Sequence, residues 1–222
     1  MGSCSLLYAS CITPSDSLKC YVGKNKLERG IAAYQKAHPL SNDIFETTWL
    51  PFYLNPQAPK TGIDKREYYK SKFGDAKASM IFDRLTAVGK DVGIDFSFGG
   101  KTGSTRDAHR LAQLGKAKGT EVQKRVVEEL FAAYFENEKD ITSHDVLREA
   151  AVKAGLDEGE VKAWLESDKG GPEVDKEVME AQMRGVSGVP NFVLQDKYEI
   201  GGAQDAEAFV SCFEKVKEME GS

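Results

Sequence analysis

Residues 185–193 read Gly185-Val186-Ser187-Gly188-Val189-Pro190-Asn191-Phe192-Val193. The proline stands directly before a short run rich in β-branched and aromatic residues and just after a turn rich in glycine and serine. This placement suits a cis Val189-Pro190 peptide, since an X-Pro bond prefers trans by only about 0.5–1 kcal/mol. In the cis form the backbone of Val189 would be left to pair with an extended peptide or a tripeptide thiol. An ordinary trans proline at a strand start accounts for the same residues, and the local chemistry leaves both readings open.

Downstream, Asn191 to Leu194 and Tyr198 to Ile200 flank Gln195-Asp196-Lys197, which predicts an antiparallel hairpin. Gly201-Gly202 and a helix from about Asp205 to Met219 end the chain as β-β-α. At the other end, Ser5 to Ile12 reads as a strand, and Asp16 or Ser17 can cap a helix whose apolar stripe is Tyr21, Val22, Leu27, Ile31 and Tyr34. Pro39 stops that helix, and Ile44 to Tyr53 predicts a second strand, giving a β-α-β opening. Between the two ends lies a succession of about five or six helices. Asp64-Lys65-Arg66-Glu67 opens it with capping-box spacing. Glu121 to Glu136 and a helix starting at Asp157 continue it, and Gly170-Gly171-Pro172 breaks it.

This order is that of an α/β, thioredoxin-like fold with a large all-helical insertion. The expected division is residues 1–60 for the first half, 61–172 for the insertion and 173–222 for the second half. Both halves must close one mixed sheet, so neither should fold alone.

Composition narrows the function. The 222 residues are 41% hydrophobic and 29% charged, ordinary globular values. The formal net charge is −5 with signs interspersed, so no basic face is available for nucleic acid. The longest apolar run, Leu130 to Phe135, is far short of the roughly 18 residues of a membrane span, so no membrane partner is expected. The N-terminus lacks a cationic n-region, and Leu6 stands where a myristoylation signal needs Ser or Thr, which points to a cytoplasmic protein. Cys4, Cys11, Cys20 and Cys212 form neither a CxxC pair nor a metal-ligand spacing, so disulfides and metal are not expected.

Val189-Pro190-Asn191-Phe192-Val193 followed by Tyr198-Glu199-Ile200-Gly201-Gly202-Ala203-Gln204 resembles the cis-proline and post-hairpin signature of DsbA-like thioredoxin-fold proteins, in their FrnE-like branch. Cys20-Tyr21-Val22-Gly23-Lys24, Pro51-Phe52-Tyr53-Leu54-Asn55-Pro56, Ala108-His109-Arg110-Leu111 and Gly155-Leu156-Asp157 follow in family order. The resemblance implies a thiol-dependent oxidoreductase. Kappa-class glutathione transferases and 2-hydroxychromene-2-carboxylate isomerases belong to the same superfamily, so glutathione-dependent transfer or isomerisation is the alternative. A family member that has lost catalysis and acts as a binding protein is a third.

The resemblance breaks at the first helix. Disulfide-exchanging relatives carry Cys-Pro-Trp-Cys there, and this chain has Ser17-Leu18-Lys19-Cys20. In such a dithiol the first thiolate attacks and the second resolves the mixed disulfide, so ordinary dithiol turnover is excluded. Two residues are the catalytic candidates. Ser17 would hold an external glutathione thiolate with the helix N-terminus, as a serine does in the glutathione-using relatives, or it merely caps the helix. Cys20 would act as a reactive monothiol next to Lys19, or it is an inert buried thiol.

Val189, Pro190 and Gln204 are the candidate substrate- and glutathione-binding residues. Glutathione is the expected co-substrate, a small molecule or thiol the expected substrate, and a homodimer an open possibility. Cys212 reads as a core position on the last helix. His109, on a helix of the insertion, reads as a hydrogen-bonded packing residue, and Glu136 to Asp140 as a solvated face.

Overall fold

The structure, a computed structural model, describes residues 6–9 and 18–220. Its principal sheet has four strands: β1 (Leu6–Ala9), β2 (Thr47–Leu50), β5 (Asn191–Leu194) and β6 (Tyr198–Gly201). The order is β2-β1-β5-β6, with β1 and β2 parallel and the other two pairs antiparallel. A parallel pair needs a crossover, supplied by helix α1 (Leu18–Ala37). Leu6 of β1 stands opposite both Thr47 and Leu194, so the N-terminal and C-terminal halves are joined at the centre of one mixed sheet. In the three-residue turn after β5, Gln195 and Asp196 adopt φ of +50° and +55°, and the Lys197 N–H donates to the Leu194 carbonyl at 3.0 Å.

Helix α9 (Ala206–Glu220) packs beside α1 over the sheet. Phe192 meets Phe209 edge to face at 5.0 Å, and a Cβ on Gly30 would stand only 2.8 Å from the Cβ of Phe209. Glycine at position 30 therefore sets how closely the two helices approach.

The central region is helical apart from a two-residue ladder, β3 (Ile63–Asp64) with β4 (Lys101–Thr102). Its helices are α2 (Lys65–Phe73), α3 (Asp75–Val92), α4 (Arg106–Ala117), α5 (Thr120–Phe131), α6 (His144–Lys153) and α7 (Glu158–Leu165); α8 (Gly171–Met183) leads back to the sheet. Asp64 and Asp157 cap α2 and α7 by accepting from the backbone N–H of Glu67 and Glu160. Among the described residues no helix is long and apolar enough to cross a membrane.

Two boundaries differ from the sequence expectation. The second strand is only Thr47–Leu50, because Pro51 lacks an N–H and residues 41–46, although not helical, pair with no strand. The helix expected to run to Glu136 changes at Ala132 into a π-helical turn over Ala132–Glu136. This turn frees carbonyls for bonds outside the helix. The Phe135 carbonyl accepts from the Ser97 N–H at 2.7 Å, and the Tyr134 carbonyl accepts from Lys65 Nζ at 3.0 Å.

The helical region is tied to the sheet by Gln123 of α5. Its Oε1 accepts from the Trp49 N–H at 3.0 Å and its Nε2 donates to the Trp49 carbonyl at 2.9 Å. One side-chain amide thus does for the edge strand β2 what the backbone of a further strand would do.

Candidate active site at the start of α1

Ser17, Cys4 and Cys11 lie outside the described residues. Helix α1 begins at Leu18, immediately after Ser17 in sequence. Of its first three residues, Lys19 is exposed, while Leu18 and Cys20 are 3% and 1% exposed and belong to the central apolar cluster. Cys20 therefore points inward, the placement that the buried-thiol reading expects. Cys20 lies on the i+3/i+4/i+7 stripe of α1 that Gly23, Leu27 and Tyr34 continue into the core.

One turn further on, Gly23 faces the proline loop. The Val189-Pro190 bond is cis, and a Cβ at position 23 would stand 2.9 Å from Pro190 Cγ and 3.0 Å from Phe192 Cζ. Any larger residue would push the loop off the helix, so glycine sets the contact between the two halves of the site. Val189 and Pro190 are both buried, yet among the described residues the Val189 backbone makes no hydrogen bond. The Pro190 carbonyl accepts from the Gly202 N–H at 2.8 Å. Lys26 of α1 reaches Asp205 at 2.6 Å and the Ala203 carbonyl at 3.4 Å. Gln204, on that same loop, is exposed, and its Nε2 donates to the Gly201 carbonyl at 2.8 Å. The structure thus brings α1, the cis-proline loop and the loop after the hairpin together.

Two polar groups bordering the site escaped the sequence reading. Tyr21, next to Cys20, stacks on Phe131 with ring centroids 4.9 Å apart and donates its hydroxyl to Glu136 Oε1 at 2.7 Å. Burial, and then the Glu136 carboxylate, hold its phenol well above the ordinary range. Glu136 belongs to the π-helical turn, so this bond joins the first turn of α1 to the helical region. Residues 137–139 are exposed, as the solvated-face reading expects, while Glu136 takes this bond, Glu138 accepts from the Gly99 N–H at 2.8 Å, and Asp140 accepts from Thr142. The second group is Asn191, 6% exposed beside the proline, whose Nδ2 donates to the Glu199 carboxylate while its Oδ1 has no partner among the described residues. The only signal for either was adjacency to a singled-out residue.

His109 is buried as a packing residue, its Nε2 3.2 Å from the Phe52 carbonyl. Burial pushes its imidazole down to about 4, with the Phe52 carbonyl acting weakly in the other direction. The folded protein thus keeps His109 neutral where the unfolded chain, with a histidine pKa of about 6.5, binds a proton. The His109 contribution to stability should be constant above pH 7 and fall as pH drops from about 6.5 to 4, by about 3 kcal/mol. Urea denaturation of wild type and His109→Gln at pH 7 and pH 4.5 checks this, since the variant should lose less over that interval. Its neighbour Arg110 is 2% exposed and donates to the carbonyls of Lys169, Trp164 and Ser167, which clamps α4 to the end of α7. Cys212, expected in the core, is half-buried at its edge, where desolvation raises its thiol above the usual value. Among the described residues no group of three or more His, Cys, Asp or Glu side chains is placed to hold a metal ion.

Comparison with known proteins places this arrangement. Residues 19–214 match the family described as DSBA-like thioredoxin domain. A "probable DsbA oxidoreductase" of Streptomyces coelicolor is 30% identical, with 94% of this chain and 88% of that one covered and a TM-score of 0.82. The cytosolic disulfide reductase DsbM of Pseudomonas aeruginosa, crystallised with GSH, is 13% identical with 96% and 99% covered and a TM-score of 0.60. A 2-hydroxychromene-2-carboxylate isomerase is 12% identical with 98% of each chain covered and a TM-score of 0.63. No curated protein sequence matches the chain.

Proposed function

Because the chain belongs to the DsbA-like thioredoxin-domain family, we propose that it performs thiol chemistry at the start of α1 with glutathione, rather than a cysteine pair, supplying the reacting sulfur. The observation that carries this reading is the burial of Cys20 at 1% exposure in the same helix that Gly23 seats against Pro190. The contact of α1 with the cis-proline loop supports a binding role for this place, and the burial of Cys20 favours an external thiol over Cys20 as the nucleophile.

In this reading Ser17 and the first-turn N–H groups of α1 hold the glutathione thiolate, helped by the positive end of the helix. The unpaired backbone of Val189, beside Pro190, takes the peptide backbone of the tripeptide, and Gln204 lies on the neighbouring loop as a further contact. With a disulfide substrate, the glutathione thiolate attacks one sulfur and expels the other, which takes a proton. A second glutathione then resolves the mixed disulfide and leaves as oxidised glutathione. With an electrophilic carbon the same thiolate forms a C–S bond, the transfer or isomerisation alternative. The crystallised DsbM–GSH complex supports the reading through fold alone. A reduced glutathione pool suits a cytoplasmic setting.

Retention on immobilised glutathione and calorimetry test it. Wild type should bind; Ser17→Ala should weaken binding by about 10- to 100-fold, the worth of one hydrogen bond to an ionised thiol; and Cys20→Ala should leave binding unchanged. A wild type that binds no glutathione would assign the site to a non-catalytic binding protein instead.

A further inference from the structure

β2 is one edge of the principal sheet, and Gln123 covers only part of it. In a parallel pair, alternate residues turn both backbone groups to the same neighbour. Since Trp49 presents its N–H and C=O to Gln123, away from β1, Thr47 turns its own pair outward as well. Among the described residues, no hydrogen bond is made by that N–H or C=O. They open on a groove of about 530 Å³, floored by Leu27, Ile31 and Phe45 and flanked by Ile44, which is 57% exposed.

Charge marks the groove further. Its lining holds three carboxylates, Glu28, Asp43 and Glu121, against one amine, Lys124. Glu28 is bridged by Lys24 and Lys124, and Asp43 by Lys217, while Glu121 at the start of α5 has no ion pair among the described residues. An unpaired strand edge, an aliphatic floor and a lining with more carboxylates than amines, one of them outside any ion pair among the described residues, together describe one kind of occupant.

We infer that this groove binds an extended peptide segment that adds to β2 at Thr47, with aliphatic side chains alternating with lysine or arginine. The alternation follows from the strand itself, which sends successive side chains to opposite sides, one toward Ile31 and Phe45, the other toward Glu121. The groove starts at Leu27, roughly 10 Å along α1 from Cys20, and on the edge of the sheet away from β6, so its occupation is independent of the glutathione reading.

The test uses the full chain and two capped hexapeptides, one alternating Lys with Val and one alternating Glu with Val, followed by amide NMR shifts. The Lys-Val peptide should shift the Thr47 and Lys124 amides in a saturable way, and the Glu-Val peptide should not. Thr47→Pro removes the outward N–H at an edge position where proline is tolerated, and should weaken binding at least 10-fold. Glu121→Arg, which leaves the backbone intact, should reverse the preference between the two peptides. Equal binding of both peptides, shifts elsewhere on the surface, or full affinity in both variants would overturn the inference. So would Thr47 shifts that grow with protein concentration alone, which would assign the edge to a second copy of the chain.

Discussion

Replacing Gln123 with leucine is expected to cost on the order of 4 kcal/mol and to lower the melting temperature by about 10 °C. Gln123 is 0% exposed, and both ends of its amide are engaged by Trp49 at 3.0 and 2.9 Å. Leucine matches it in bulk but leaves a buried N–H and a buried C=O unpaired, each worth about 1–3 kcal/mol of desolvation. Against a total stability of about 5–15 kcal/mol, that is a large fraction. Gln123→Glu is a sharper probe, because it keeps the acceptor for the Trp49 N–H but sets a carboxyl oxygen against the Trp49 carbonyl. Only the protonated acid can donate there, so the folded state should raise the pKa of the new group. The variant's deficit relative to wild type should therefore be smaller at pH 4 than at pH 8. Urea denaturation at both values reads the effect. A loss below 1 kcal/mol for Gln123→Leu would mean that water replaces the amide and that α5 is not held to β2 in this way.

The second expected result is a gain of activity. Ser17→Cys should create a thiol three residues before Cys20, a separation at which a helix brings side chains together. The new thiolate, at the helix N-terminus, attacks a substrate disulfide and expels one thiol; Cys20 then attacks the mixed disulfide, releases the second thiol and leaves an intramolecular disulfide for dithiothreitol to reduce. Burial of Cys20 at 1% suits the resolving position, which needs access only to its neighbour. Insulin reduction with dithiothreitol should rise from background in wild type to clear turnover in Ser17→Cys, and Cys20→Ser in that background should return it to background. If mild oxidation of Ser17→Cys forms no disulfide with Cys20, Ser17 does not occupy the position of the missing cysteine, and its glutathione role falls as well.

The sequence by itself determined those features whose causes lie within a few residues. The caps at Asp64 and Asp157 act over three residues, and the hairpin around Gln195-Asp196 is a matter of turn chemistry; each stands where the sequence reading placed it. The element order and the motifs around Val189-Pro190 and Tyr198 to Gln204 were enough for the thioredoxin-like fold and the DsbA-like family. Tertiary structure decided the rest. The cis state of Val189-Pro190, which local chemistry left open, is seen beside a helix 167 residues earlier in the chain, with Gly23 seated against Pro190. Whether Cys20 faced solvent or core depended on which side of α1 meets Phe192 and α9. Glu136 reads as one more charge in an acidic run until the π-helical turn and the fold bring it to Tyr21, 115 residues away. Gln123, a polar residue on a regular amphipathic helix, gave no local sign that it pairs with Trp49 on a sheet edge 74 residues away. Short-range signals such as periodicity, caps and turns carry helix and strand identity, but the hydrogen bonds that build the site join distant segments, and their partners exist only once the chain has closed.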